Sequence, residues 1–272
     1  MKLTFLGTAA AEAMPAHFCV CETCKTARKN GGKDIRKRCC YLLNDDTLID
    51  YGPDIWDQSI MYNFDLADIK RIFFTHSHED HLDPVELIWR LPGYSAVEDF
   101  IDIYGDSNVH EKITARVDYE KAKMNKHQVN PGDVFHAGNF EILALRADHD
   151  PNSTPLNYVI TENNKTILIA NDTGFWDDAN WELIKNYGKK LDLAVIECTC
   201  AFTLQDFSIG HMSKKFTVLF KEKLQELGLT TEKTRFITNH FSHNGAPLQA
   251  DMEKFFAPHD IKVAYDGMTV EI

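Results

Sequence analysis

Residues suited to holding cations are concentrated in Thr75-His76-Ser77-His78-Glu79-Asp80-His81. Neutral imidazole and carboxylate suit zinc, iron or manganese. The spacing lets His76 and His78 turn toward one cation while Asp80 and His81 serve a second close by. A pair of divalent ions held close together can share a hydroxide and clamp a reacting group.

A second group stands earlier, in Cys19-Val20-Cys21-Glu22-Thr23-Cys24. Three thiolates this close can share one tetrahedral zinc, with a fourth ligand from elsewhere. The amino-terminal run Met1-Lys2-Leu3-Thr4-Phe5-Leu6-Gly7 is too short for the apolar core of an export signal. That favours metal over disulfides at these cysteines and leads us to expect a cytoplasmic protein. Cys39 and Cys40 run into the apolar Tyr41-Leu42-Leu43 and are expected as core thiols.

Positioning such residues takes strands. Ile69 to Phe74 is short and rich in isoleucine and phenylalanine, as a buried strand should be. The histidine cluster follows it on a loop, at the carboxyl end where open α/β sheets bind ligands. Asp83 can cap, and Pro84 can begin, a helix with Val85, Leu87, Ile88 and Leu91 on its apolar face.

The same grammar recurs along the chain. Leu3 to Thr8 reads as a first strand. The irregular segment from Ala9 to about Arg38 is long enough to be functional or held by something. A hairpin pairs Tyr41–Leu43 with Thr47–Asp50, and a helix is expected over Ile55–Tyr62. Ile101–Gly105 reads as a strand, and the charged stretch from Asn108 to Lys126 as partly helical. Phe140–Arg146 leads to Asp148-His149-Asp150. A hairpin of Leu156–Thr161 and Lys165–Ala170 ends at Asn171-Asp172-Thr173-Gly174. Leu191–Glu197 leads to Cys198-Thr199-Cys200, and Arg235–Thr238 leads to Asn239-His240-Phe241-Ser242-His243. Helical periodicity over Ser213–Leu227 sets Phe216, Leu219, Phe220, Leu224 and Leu227 on one side. A helix over Gln249–Phe256 and a closing strand over Thr269–Ile272 complete the chain, which predicts two sheets with helices outside.

The 272 residues suffice for one large α/β domain or two small ones, and 44% hydrophobic with 26% charged is ordinary for a globular chain. A formal net charge of −12 disfavours non-specific binding to nucleic acid or an anionic membrane. No apolar run approaches membrane-spanning length.

The order of His76, His78, Asp80 and His81, then His149, Asp172 and His240, resembles the metallo-β-lactamase superfamily across nearly the whole chain. The resemblance implies an αββα four-layer sandwich of class α/β. It also implies a single hydrolase domain over residues 1–272, with 9–38 as a zinc-stabilised loop. It places His76, His78 and His149 on one divalent ion (zinc, manganese or iron), Asp80, His81 and His240 on a second, and Asp172 between them.

Cys19, Cys21 and Cys24 resemble a structural zinc site found in the phosphodiesterase of the carbon–phosphorus lyase pathway and in a pyrroloquinoline-quinone biosynthesis protein. The phosphodiesterase's fourth ligand corresponds to His243. Glu197-Cys198-Thr199 with Gly210-His211-Met212-Ser213 is similar to a pattern of RNase Z-like phosphodiesterases, in which the histidine contacts the scissile phosphate or aids the leaving group. No glycine- and proline-rich arm like that of RNase Z is seen.

The expected activity is hydrolysis of a small, cyclic phosphodiester, with Asp80 and His211 catalytic and without stable nucleic-acid or membrane partners. A homodimer would be unsurprising. His17 is a candidate for the entrance or for loop filling. The alternatives are an enzyme for a non-phosphate substrate, as in the quinone-biosynthesis relative, and a non-catalytic metal-binding protein.

Overall fold

The computed structural model describes residues 1–203 and 206–272. Two seven-stranded mixed sheets face each other with helices on their outer faces. The first sheet holds β1 (Lys2–Gly7), β2 (Cys40–Leu43), β3 (Thr47–Ile49), β4 (Arg71–Phe73), β5 (Ile101–Gly105), β6 (Met124–Gln128) and β14 (Thr269–Glu271), in the order β14-β1-β2-β3-β4-β5-β6. The second holds β7 (Val134–Ala137), β8 (Phe140–Arg146), β9 (Leu156–Glu162), β10 (Lys165–Ala170), β11 (Leu193–Glu197), β12 (Arg235–Asn239) and β13 (Lys262–Val263), in the order β13-β12-β11-β10-β9-β8-β7.

Both faces of the central strands are covered, which is why they are nearly continuous apolar runs. Phe5, Tyr41, Phe73, Tyr158, Ile169, Val195 and Ile237 fill the space between the sheets. Helices α2 (Ile55–Tyr62) and α3 (Ser107–Thr114) lie outside the first sheet. Helices α4 (Asp178–Tyr187), α5 (Lys214–Glu226) and α6 (Gln249–Phe256) lie outside the second. Strands β3 to β6 run parallel, as do β10 to β13. Strand β9 is antiparallel to both β8 and β10, so these two also point the same way. Their carboxyl ends therefore share an edge, the position at which such sheets place ligands.

Several local expectations are corrected. The segment after Pro84 forms only a 3₁₀ turn, Glu86–Arg90. Its bonds run from Glu86 to Asp83, Ile88 to Val85 and Leu91 to Ile88, and Pro92 then bars further helix. The segment from Ala9 to Arg38 contains helix α1 (Glu22–Asn30), capped by Cys21, whose sulfur accepts from the Cys24 amide. With only Cys24 and Ala27 buried, α1 has no apolar stripe to announce it. Strands β6 and β7 were not foreseen because they are largely open to solvent and lack a clean alternation. Helix α4 buries Asn180 beside Trp181 and Ile184, again an impure pattern, and the two-residue β13 is too short to read. On α5, Leu219 faces outward, while Thr217 and Lys221 lie on the buried side. No helix among the described residues is long and apolar enough to cross a membrane.

Candidate metal centre

Six strand ends deliver the polar cluster. Strand β3 ends in Asp50, β4 in the run to His81, β8 in His149, β10 in Asp172, β11 in Glu197 and β12 in His240. Asp50, Asp172 and His240 have φ of 67°, 44° and 59°, in the left-handed region. Non-glycine residues hold such conformations only where their surroundings over-determine them, and such residues gather at functional sites. Two close approaches help. A Cβ at Gly52 would lie 2.0 Å from the Asp80 carbonyl oxygen, and one at Gly174 would lie 2.2 Å from Asp148 Oδ2. Only glycine lets the end of β3 rest on the histidine loop and the turn after β10 rest on Asp148.

The histidines are locked from behind and free in front. His81 donates from Nδ1 to Asp50 Oδ2 at 2.7 Å, and His149 from Nδ1 to the Gly210 carbonyl at 3.1 Å. The hydroxyls of Thr75 and Thr199 lie 3.0 Å from His76 Nδ1 and 2.8 Å from His240 Nδ1. On the inner side, His76 Nε2, His81 Nε2, His240 Nε2 and Asp172 Oδ2 are buried with no hydrogen-bond partner. Yet they crowd together. His81 Nε2 is 3.1 Å from both Asp80 Oδ2 and Asp172 Oδ2, and His240 Nε2 is 3.2 Å from Asp172 Oδ2. His149 Nε2 lies 3.0 Å from His78 Nδ1.

Buried polar atoms are ordinarily paired, so convergent orphans mark the place of a missing partner. Backing of a ring nitrogen by carboxylate or carbonyl is the usual support of a metal-binding histidine. Potential ligand atoms approach within 4.8 Å of one another in the sets His76, His78, His149; His76, His81, Asp172; Asp80, His81, His240; and His149, Asp172, His211. This donor set fits divalent cations.

The protonation pattern agrees. Burial opposes charge on Asp172, but His240 and His81 hold its carboxyl well below the usual range; Asp80 is likewise held low against burial, by His81 and His240. Burial, with His81 nearby, pushes His76 well below its usual value, leaving a lone pair to give. Burial disfavours charge on His81, yet Asp80, Asp172 and Asp50 raise it well above its usual value, so a cation binding there displaces a proton.

His211, a member of the last of those sets, also has a carboxylate partner outside them. Its Nδ1 lies 2.8 Å from the buried Glu197 Oε1 and 4.0 Å from Asp172 Oδ1. Burial opposes its charge, but Glu197 outweighs that and lifts it to about 9. Glu197 also accepts from the amides of Thr173 and Thr199, tying the ends of β10 and β11 together.

The cysteine cluster is a separate place. His243 Nδ1 lies 3.6 Å from Cys19 Sγ and 3.5 Å from Cys21 Sγ, and Cys24 completes a set within 4.8 Å. His243 Nε2 faces Glu12 Oε1 at 3.5 Å. The Cys24 amide and His243 lower the Cys21 thiol to about 6. Cys39, Cys40 and Cys198 are buried core thiols, and Cys200 is half-buried. His17 is exposed, with Nδ1 3.3 Å from the Glu12 carbonyl oxygen.

Asp50 was not assigned to the site by sequence reading, and Thr75 and Thr199 stood inside its motifs without a role as braces. The signal for Asp50 was present: a carboxylate directly after an apolar strand, which turns out wholly buried. A cavity of about 590 Å³, lined in part by Arg38, His78, Asp80 and Lys112, opens beside the cluster. A larger one of about 1120 Å³, between α2 and the Glu86–Arg90 turn, holds none of these ligands.

The family described as beta-lactamase superfamily domain matches residues 46–241. Ribonuclease Z of Lactobacillus acidophilus is 26% identical over 160 residues, which is 55% of this chain and 45% of that relative. Among solved structures, a diphosphatase from the PhnP family aligns over 100% of this chain and 97% of its own, with TM-score 0.74 and 19% identity. The zinc-bound PqqB of Methylobacterium extorquens aligns over 100% of both chains, with TM-score 0.76 and 14% identity.

Proposed function

The chain belongs to the beta-lactamase superfamily, and from that premise we propose that it hydrolyses small phosphodiesters, cyclic ones foremost, at a centre of two divalent ions. Ribosyl 1,2-cyclic phosphates and 2′,3′-cyclic nucleotides are the substrate types in view. His76, His78 and His149 would hold one ion, Asp80, His81 and His240 the other, with Asp172 shared. Zinc, manganese and iron all suit these donors. When bound, the ions supply Lewis acidity and an activated water.

The observation that carries the reading is the His211–Glu197 pair, at 2.8 Å, set against the ligand cluster. A buried carboxylate fixes the imidazole's orientation and favours its protonated form. His211 can then stabilise negative charge on a phosphoryl group or pass a proton to the leaving oxygen. Asp80 can accept the proton of the attacking water. The cavity beside His78 and Asp80, whose wall carries Arg38 and Lys112 together with Glu79 and Asp83, is of a size for a small substrate. The similarity to ribonuclease Z and to a PhnP-family diphosphatase supports phosphoryl chemistry. The net charge of −12 favours a small substrate over a long polyanion. Cys19, Cys21, Cys24 and His243 are proposed to hold one structural zinc, the protein to work in the cytoplasm, and residues 1–272 to act as one domain.

Purified protein assayed with bis(p-nitrophenyl) phosphate under manganese or zinc tests this. Metal-dependent turnover that then extends to cyclic phosphates is expected. No turnover, or faster cleavage of precursor tRNA than of any small diester, overturns it. His211→Ala should keep both ions and lose turnover; loss of an ion would make His211 a ligand.

A further inference from the structure

The two ligands that approach each other most closely across the second sheet, Asp172 and His240, come from strands that are not neighbours. Strand β11 lies between β10 and β12. Each ligand has positive φ, and each directly follows a buried asparagine, Asn171 and Asn239. Tyr41, on β2 of the facing sheet, reaches across the interior to both. Its hydroxyl donates to Asn171 Oδ1 at 2.7 Å and accepts from Asn239 Nδ2 at 2.8 Å. Cys39, two residues earlier on the same edge, accepts from Asn171 Nδ2 at 2.9 Å and from Asn239 Nδ2 at 3.3 Å. Asn157 closes the set by donating to the Asn171 carbonyl at 2.6 Å. All five side chains are wholly buried.

We propose that Tyr41, acting through Asn171 and Asn239, is a positioning residue that fixes the separation of Asp172 and His240 and so sets how tightly the second ion is held. The proposal rests on the metal-centre reading above. The ladder through β11 aligns the strand backbones, but left-handed residues just past their ends need a further restraint. A hydroxyl that both donates and accepts supplies it, since it answers the two asparagines in opposite senses. The other ion, with three ligands from β4 and β8, has only Asp172 in common with this network.

Metal-free protein titrated with cobalt(II) tests the idea, because thiolate absorption at the cysteines is distinct from the bands of a nitrogen and oxygen centre. Wild type should take up two ions at that centre. Tyr41→Phe, which removes one oxygen, should weaken the second by roughly 10–100-fold and the first by no more than about threefold, the loss expected of an outer support. The melting temperature of the metal-free protein separates positioning from plain stabilisation. If it falls while the ratio of the two affinities stays as in wild type, Tyr41 is merely structural and the proposal is wrong. Unchanged affinities also overturn it. Wild type binding no pair of ions would sink the metal-centre reading, and the proposal with it. Should Tyr41→Phe not fold, Cys39→Ala removes the other acceptor and leaves the ring in place. The same selective weakening is then expected, and an unaltered ratio refutes the proposal.

Discussion

The histidine–aspartate cluster and the cysteine cluster are built on opposite plans. The first draws its candidate ligands from four strand ends between His76 and His240, so only the finished sheets bring them together. The second takes three of its four from Cys19, Cys21 and Cys24, a stretch spanning one helix cap, and borrows only His243 from the sheet edge. In the first, His76, His81, His149 and His240 are braced through an outer ring nitrogen, and the inner atoms of His76, His81, His240 and Asp172 are orphaned. In the second, the sulfurs also accept from nearby amides, as Cys21 does from Cys24 and Cys24 from Ala16. A site made by the core is largely preformed and resists loss of one cation. A site made by a loop leans on its own ion for order. His243 follows His240 by three residues, so the two plans meet on one short segment.

The sharpest way to separate them is to remove Asp172, the residue proposed to be shared by the two ions. Asp172→Ala should reduce turnover of bis(p-nitrophenyl) phosphate by about 10³-fold or more, since Lewis-acid stabilisation is worth several kcal/mol. Metal analysis should show the loss confined to the proposed pair of ions, with an ion at the cysteine cluster retained. Turnover near wild type would break the assignment of Asp172.

Next in size is the brace behind His211. Glu197→Gln keeps the shape but removes the charge that favours the imidazolium. Turnover should fall by roughly 10–100-fold, as for lost outer support, with metal content intact. A fall in turnover accompanied by metal loss would show that Glu197 supports the strand ends more than it supports His211.

How much of this was legible in the sequence follows from the same contrast. The candidate ligands announced themselves because strands β8, β10 and β12 are apolar runs followed within a few residues by a charged or imidazole residue. The cysteines announced themselves by spacing alone. What stayed hidden was the bracing. Thr75 and Thr199 stand inside motifs that the sequence shows, but their role is plain only when the fold sets them behind His76 and His240. Tyr41 reads as an apolar strand residue, and its hydroxyl gains meaning only when the facing sheet brings Asn171 and Asn239 to it. Helix α1 was missed for a related reason: its cap is a cysteine, a residue that sequence reading assigns to metal rather than to helix starts.

Cys24→Ser should have a smaller effect on chemistry than either change above. It should release the cysteine-bound ion and lower the melting temperature, while turnover falls by at most about tenfold, the lower end of what outer supports contribute. Loss of turnover as deep as that of Asp172→Ala would join the two regions into one unit through the His240–His243 segment.

The smallest effect is expected at the rim, where the loop of His76 to His81 meets solvent. Lys112 donates to the Ser77 carbonyl at 2.5 Å and to Glu79 Oε1 at 3.0 Å, but Glu79 is 90% exposed. An ion pair so open to water is worth about 0–1 kcal/mol and is screened by salt. The bond to Ser77 adds a further modest restraint on the peptide between two candidate ligands. Lys112→Met keeps the aliphatic stem and deletes both contacts. Turnover should drop by no more than about fivefold at low salt, or about 1 kcal/mol. In high salt the difference should narrow, because the wild type loses the ion-pair part of its advantage. A larger drop that salt does not touch would mean that Lys112 meets the substrate in the cavity beside His78, and the loop would then depend on more than its buried braces.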